Sequence, residues 1–227
     1  MKKTKIKILV LSKQNIYSER YINSLKRLFN VYFISNPDEF EKKIMTINPK
    51  WIFALHWGYK IKKSIYSKYN CISFHTGNLP EDRGGSPIHN QIINGKITSS
   101  VNAIKVADPI DSGDIYLSKQ ISLQGSIADI FDIIIPICVD FTKKIIIDGI
   151  KPKPQIGRSK TYKRKKNNQL ILNNINSIYD QIRMLDGLDY PKAYINIDDY
   201  VFEFSRAKLD ENHIIADVKI SKKWKKY

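Results

Sequence analysis

The 227-residue chain predicts an α/β fold: a doubly wound, mostly parallel sheet followed by a small C-terminal β-rich extension. Three observations predict it. Continuous apolar runs such as "IKILVLS" (Ile6–Ser12) read as strands buried on both faces. Segments with helical spacing alternate with those runs. Past residue 150 the pattern changes to one helix and three short alternating runs, the mark of a small antiparallel unit.

Each element follows in order. Tyr21, Leu25 and Leu28 place a helix after the first strand, and "NVYFIS" (Asn30–Ser35) is the second strand. Asn36 before Pro37, with acids next, starts a second helix by side-chain capping. "WIFALHW" (Trp51–Trp57) is expected as a third strand, Ser64–Tyr69 as a short helix, and "CISFH" (Cys71–His75) as a fourth strand. A helix over Ile88–Ile93 and strands over Ser99–Ala107 and Ile115–Leu123 come next. Ile127–Ile147 is a long helix that Pro136 should kink or deprive of one backbone bond. "GIKPKPQIG" (Gly149–Gly157) reads as a boundary between a domain of residues 1–150 and an extension of residues 151–227. The organisation is Rossmann-like, but no G-x-G-x-x-G follows the first strand, so the dinucleotide fingerprint is absent.

Composition bounds the function. No run of 18 apolar residues exists, so membrane insertion is not expected, and the short apolar start lacks a cleavage pattern. Two cysteines, Cys71 and Cys138, sit in apolar surroundings without metal-ligand spacing, as expected of reduced core thiols in a cytoplasmic protein with no metal. The net charge of +16 invites a polyanionic partner. The lysines spread along the chain, densest in "RSKTYKRKK" (Arg158–Lys166) and the tail "SKKWKKY", which weakens a nucleic-acid reading and fits a phosphate-bearing small substrate as well.

The chemistry concentrates in two stretches. In "SFHTGNLPEDRGGSP" (Ser73–Pro87) a histidine ends a strand, where open α/β sheets place their ligand crevice, and Gly77, Gly84 and Gly85 permit close approach of a ligand. In "ADPIDSGD" (Ala107–Asp114), Asp111 is either a turn residue or a carboxylate that orients an imidazole. Together, "FHTGNLPEDRGGSP" and "PIDSGDIYL", with His75 and Asp111 36 positions apart, resemble the formyltransferases that use N10-formyltetrahydrofolate. The later "SKTYKRKK…INSIYDQIRMLDGLDYPKAYINI" is similar to that family's "Y-x-R" strand and "I-R-x-L…Y-P-x-A" segment.

The resemblance implies acyl transfer to an amine, with His75 as general base supported by Asp111. It implies a folate co-substrate bound near Trp57, Gly58, Tyr59, Ile61 and Val106. The family's usual Asn two positions before the histidine is Ser73 here, so Asn78, with Ser73 in support, is expected to donate to the formyl oxygen. Arg83, Gly84, Gly85 and Lys13 are expected to meet the acceptor substrate. Because the extension is short, the resemblance is strongest to the sugar N-formyltransferase branch. That branch implies a nucleotide-linked amino sugar as partner, a role in glycan or lipopolysaccharide O-antigen synthesis, and a homodimer. Methionyl-tRNA formylation and a catalytically impaired folate-binding homologue are the alternatives.

Overall fold

The computed structural model describes residues 5–162 and 168–223. In chain order the elements are β1 (Lys7–Leu11), α1 (Ile16–Leu25), β2 (Asn30–Ile34), α2 (Pro37–Ile47), β3 (Trp51–Ala54), α3 (Lys63–Tyr66), β4 (Asn70–Thr76), β5 (Arg83–Gly84), α4 (Pro87–Ile93), β6 (Thr98–Lys105), β7 (Ile115–Ser122) and α5 (Ile127–Ile147). The later part adds β8 (Thr161–Tyr162), α6 (Ile175–Arg183), β9 (Ala193–Ile197), β10 (Tyr200–Asp210) and β11 (His213–Lys222).

The main sheet has the order β2-β1-β3-β4-β6-β7. Its first four strands pair in parallel, and β6 runs antiparallel to both β4 and β7. Alternation within β1 explains the continuous apolar run. Ile8 and Val10 point into the core beneath α1 and α5, and Leu9 and Leu11 into a second core shared with Phe40, Ile44 and Ile65. Both faces are therefore covered, as a parallel sheet requires.

The helix signals in the sequence correspond to real caps. Asn15 and Ser18 form a capping box on α1, Asn36 accepts from the Asp38 amide on α2, and Ser126 and Asp129 cap α5 reciprocally. Helix α5 runs through Pro136 without ending. The expected third strand stops at Ala54, short of Trp57, because His56 takes a left-handed backbone (φ 52) that a strand cannot continue. Both cysteines are free and buried; burial pushes the Cys71 thiol up to about 12 and raises that of Cys138 as well, so both stay protonated.

Strands β9, β10 and β11 form a separate antiparallel sheet, and helix α6 packs between it and α4. Arg183 of α6 donates to the carbonyls of Leu123 and Gly125, tying the extension to the turn before α5. The segment read as a boundary pairs back on the main domain: Lys153 bridges Ile115, and β8 pairs with β5. Part of the basic run, residues 163–166, and residues 224–227 of the tail lie outside the described residues, as does Arg164 of the "Y-x-R" match.

The central strands β1, β3 and β4 bury apolar side chains in both cores. Phe53 is fully buried, stacked between Trp51 and Phe74. Phe53→Ala is expected to lower unfolding free energy by about 3–5 kcal/mol in urea titrations. Ile147→Ala, at an exposed position, should stay within about 0.5 kcal/mol of the parent.

Candidate active site

Strand β4 sets the position of the central imidazole. Ser73 and His75 are alternate residues and share a sheet face. His75 pairs with Asn102 across β6 and is only 6% exposed. After Thr76 the chain reverses at once. The Gly77 amide donates to the Ser100 carbonyl, and the amides of Glu81 and Asp82 donate to the Asn78 carbonyl in a helical turn. This turn brings the Asp82 backbone carbonyl to 2.6 Å from His75 Nε2. A side chain at position 77 would place Cβ 2.7 Å from Asp82 Cβ and 3.1 Å from His75 Nε2, which accounts for the glycine.

The second loop arrives from the other end of the strand. Ile72 pairs with Lys105, so β6 ends beside the start of β4. Residues 106–114 then fold back over the sheet face toward His75. Asp111, in a left-handed conformation (φ 59), brings Oδ2 to 3.3 Å from His75 Nδ1 and accepts from the Gly84 amide at 3.1 Å. Gly113 lets this loop close, since a Cβ there would run into the Lys105 carbonyl.

These residues line one side of a cleft of about 1050 Å³ at the carboxyl ends of β1, β3 and β4. Trp57, Gly58, Tyr59, Ile61 and Val106 line it, as do Lys13, Ser73, His75, Gly84, Gly85 and Asp111. Trp57 packs between core Phe40 and Tyr59, and the Tyr59 ring is largely open to solvent. Flat aromatic and aliphatic walls beside an open glycine fit a planar heterocycle such as a folate, and the volume leaves room for an acceptor beside it. The extension contributes Thr161, Asn168, Leu185 and Tyr190 to the same cleft.

Two expected site residues are not brought in. Asn78 is exposed outside the cleft, and its side-chain oxygen accepts from the Ser100 hydroxyl, because the turn after Thr76 carries it away from the imidazole face. Ser73, on that face, lines the cleft. Arg83 does not reach the acceptor side either. Its Nε and Nη2 donate to Gln155 Oε1 at 3.1 and 2.7 Å, and its guanidinium is an internal tie.

Sequence reasoning missed Asp82, Lys96 and Gln155. Asp82 is fully buried, and both of its oxygens accept from Lys96 Nζ at 2.9 Å. Gln155 Nε2 donates to the carbonyls of Asp111 and Gly113, each at 2.8 Å. The only signal was "KPKPQ", which turn residues made look like a linker.

His56 also lines the cleft, edge-on to Phe131 at 4.5 Å. Packed protein around it lowers its imidazole pKa to about 4, although part of the ring's surface opens to the cleft and water there tempers the effect. Above pH 6.5 His56 is neutral in both folded and unfolded chains; from 6.5 down toward about 4 only the unfolded chain gains the proton, so stability falls over that window. NMR titration should show His56 protonating well below 6.5, and His56→Leu should flatten that part of the stability profile. A midpoint at or above 6.5 would contradict the placement.

Comparison with known proteins bears on this arrangement. Residues 165–221 match the family model of the methionyl-tRNA formyltransferase C-terminal domain. A methionyl-tRNA formyltransferase from Rickettsia typhi is 27% identical over 187 residues, covering 78% of this chain and 61% of its own length. The chain spans about 60% or less of the curated relatives it matches. The formyltransferase PseJ from Anoxybacillus kamchatkensis, solved with UDP-4,6-dideoxy-4-formamido-L-AltNAc and tetrahydrofolate, has a TM-score of 0.57 at 17% identity, covering 69% of this chain and 85% of its own, which shows the fold alone. A structure of methionyl-tRNA formyltransferase from Clostridium thermocellum has a TM-score of 0.90 at 33% identity, covering 96% of this chain and 99% of that one.

These findings overturn the expected nucleotide-linked amino sugar and the expectation against a nucleic-acid partner. The short extension was the reason for the sugar reading, yet it matches a methionyl-tRNA formyltransferase domain, and a chain of that name shares its length. With a third of its residues identical across nearly the whole of both chains, and with His75 and Asp111 meeting in the cleft, this chain belongs to the formyltransferase family.

Proposed function

We propose that this chain transfers a formyl group to the amine of methionyl-tRNA, using N10-formyltetrahydrofolate as donor. The observation that carries the reading is the His75–Asp111 pair in the cleft wall, in a chain whose extension matches the C-terminal domain of methionyl-tRNA formyltransferases. The folate, when bound, supplies a formyl carbon activated on nitrogen; Trp57, Gly58, Tyr59, Ile61 and Val106 would hold it. The net charge of +16 suits a polyphosphate acceptor, and Lys13, at the cleft, is placed to meet its backbone.

The residues divide the work by their hydrogen bonds. A carbonyl oxygen only accepts, so the contact with Asp82 assigns the proton of the neutral ring to Nε2. Nδ1 then carries the lone pair and takes a proton from the substrate ammonium, freeing the amine to attack the formyl carbon; as the bond from that carbon to the donor nitrogen breaks, the ring returns its proton to the leaving nitrogen, and the second amine proton passes to water. The imidazolium formed lies against the Asp111 carboxylate, 3.3 Å from Nδ1. Ser73, on the same strand face, offers its hydroxyl to the formyl oxygen, where charge develops during acyl transfer. Gly84 and Gly85 line the cleft beside Asp111, and Gly84 lets β8 pass close enough to pair with β5.

The test is steady-state formylation of charged initiator methionyl-tRNA at saturating donor. Turnover is expected to decline steeply with salt, because phosphate contacts release counterions. His75→Ala and Asp111→Asn should each lower kcat by about 100-fold or more. Ser73→Ala should lower it by about 10-fold or more, as for loss of a transition-state donor. No turnover of methionyl-tRNA by wild type with donor bound would refute the assignment.

A further inference from the structure

We propose that Gln155 is a positioning residue that holds Asp111 against His75. This rests on the functional reading of the His75–Asp111 pair. Gln155 lies in the segment after α5, where Lys151, Lys153, Pro154, Ile156 and Gly157 are exposed while Gln155 turns inward. Its amide has two N–H donors and one oxygen able to accept twice, and all four are engaged. The donors go to the carbonyls of Asp111 and Gly113, and the acceptor takes Nε and Nη2 of Arg83. One side chain thus joins the loop that carries Asp111 to the strand whose Gly84 amide holds the Asp111 carboxylate.

The constraint falls where it is needed. Asp111 has a left-handed backbone, which a residue with a side chain adopts at a cost, and the loop must hold it there. Its carboxylate has two partners among the described residues, the Gly84 amide and the His75 ring. The backbone carbonyls on either side of Ser112 are both held by the Gln155 side chain. A loop held from its backbone leaves the carboxylate free to answer the charge on the imidazole. Displacement by about 1 Å is enough to lower a rate by as much as about 100-fold.

The isosteric Gln155→Glu separates this role from a simple tie to Arg83. A carboxylate still accepts from Arg83, and more strongly, but it cannot donate to the two carbonyls and repels them. Gln155→Met removes both sets of bonds at similar volume. Both variants are expected to lower kcat about 10-fold or more while KM for the folate donor stays within about twofold. In an Asp111→Asn background the same substitutions should have little further effect, since Gln155 acts through Asp111. The His75 ring-nitrogen resonances of Gln155→Met should move toward those of Asp111→Asn.

Wild-type kcat in Gln155→Glu would overturn the proposal, as would an equal fold-loss with and without Asp111. If wild type does not formylate methionyl-tRNA, the functional reading fails and the resonances still decide this one. Unchanged His75 signals in Gln155→Met, beside changed signals in Asp111→Asn, would reject the positioning role alone. Unchanged signals and turnover in Asp111→Asn would reject both.

Discussion

One imidazole, reached by two loops from opposite ends of a strand, organises this molecule. His75 is nearly buried, and a ring that gains charge in such a place needs a counter-charge close by. Two aspartates stand in the loops around it, Asp82 and Asp111, and they are not equivalent. The Asp82 carboxylate is closed off by Lys96 and the Asn78 amide, so Asp82 offers the ring only its backbone carbonyl. Among the described residues, Asp111 is the aspartate that presents its carboxylate to the ring. Removing Lys96 would leave the fully buried Asp82 carboxylate without its cation, which costs about 3–5 kcal/mol. The ion pair with Lys96 thus engages the Asp82 carboxylate, while the Asp111 carboxylate faces the ring.

The backbone around the cleft bears the cost of this arrangement. His56, Ser86 and Asp111 all take left-handed conformations, and all three line the cleft. Such geometry persists where surrounding bonds over-determine it. Around Asp111 those bonds are visible: the Gly84 amide on its carboxylate, Gln155 on its carbonyl, and close passage of Gly113 over the Lys105 carbonyl. Ser86 takes the N-cap position of α4 directly after Gly85, so the chain turns sharply at the wall of the cleft.

Hydrophobic period made the sheet legible, because a strand buried on both faces has to be apolar throughout, as β1 is. The His75–Asp111 pair was legible through motif spacing and resemblance, since neither residue alone distinguishes a catalytic group from a turn. Side-chain direction in loops was not legible. Asn78 and Arg83 are chemically apt donors, and a turn begun at Gly77 sends one outward while Gln155 draws the other inward. Substrate class was misread from the length of the extension. Length carries no recognition chemistry, and the family-model match over residues 165–221 reads the residues themselves.

The division at residue 150 separates two patterns of sequence, yet the cleft is built across it. Lys153 bridges Ile115 at the foot of the Asp111 loop, and Gln155 grips that loop two residues later. Strand β8 pairs with β5, so the Gly84 that holds Asp111 is itself fixed by the later segment; a Cβ on Gly84 would collide with the Tyr162 carbonyl. Further on, Arg183 anchors α6 to the turn before α5, and Leu185 and Tyr190 line the same cleft as the imidazole. A cut at residue 150 would therefore leave the strands of the main sheet intact in sequence but remove the contacts that keep Asp111 in place. The extension is part of the site's construction as well as the segment in which the relatives' C-terminal domain is recognised.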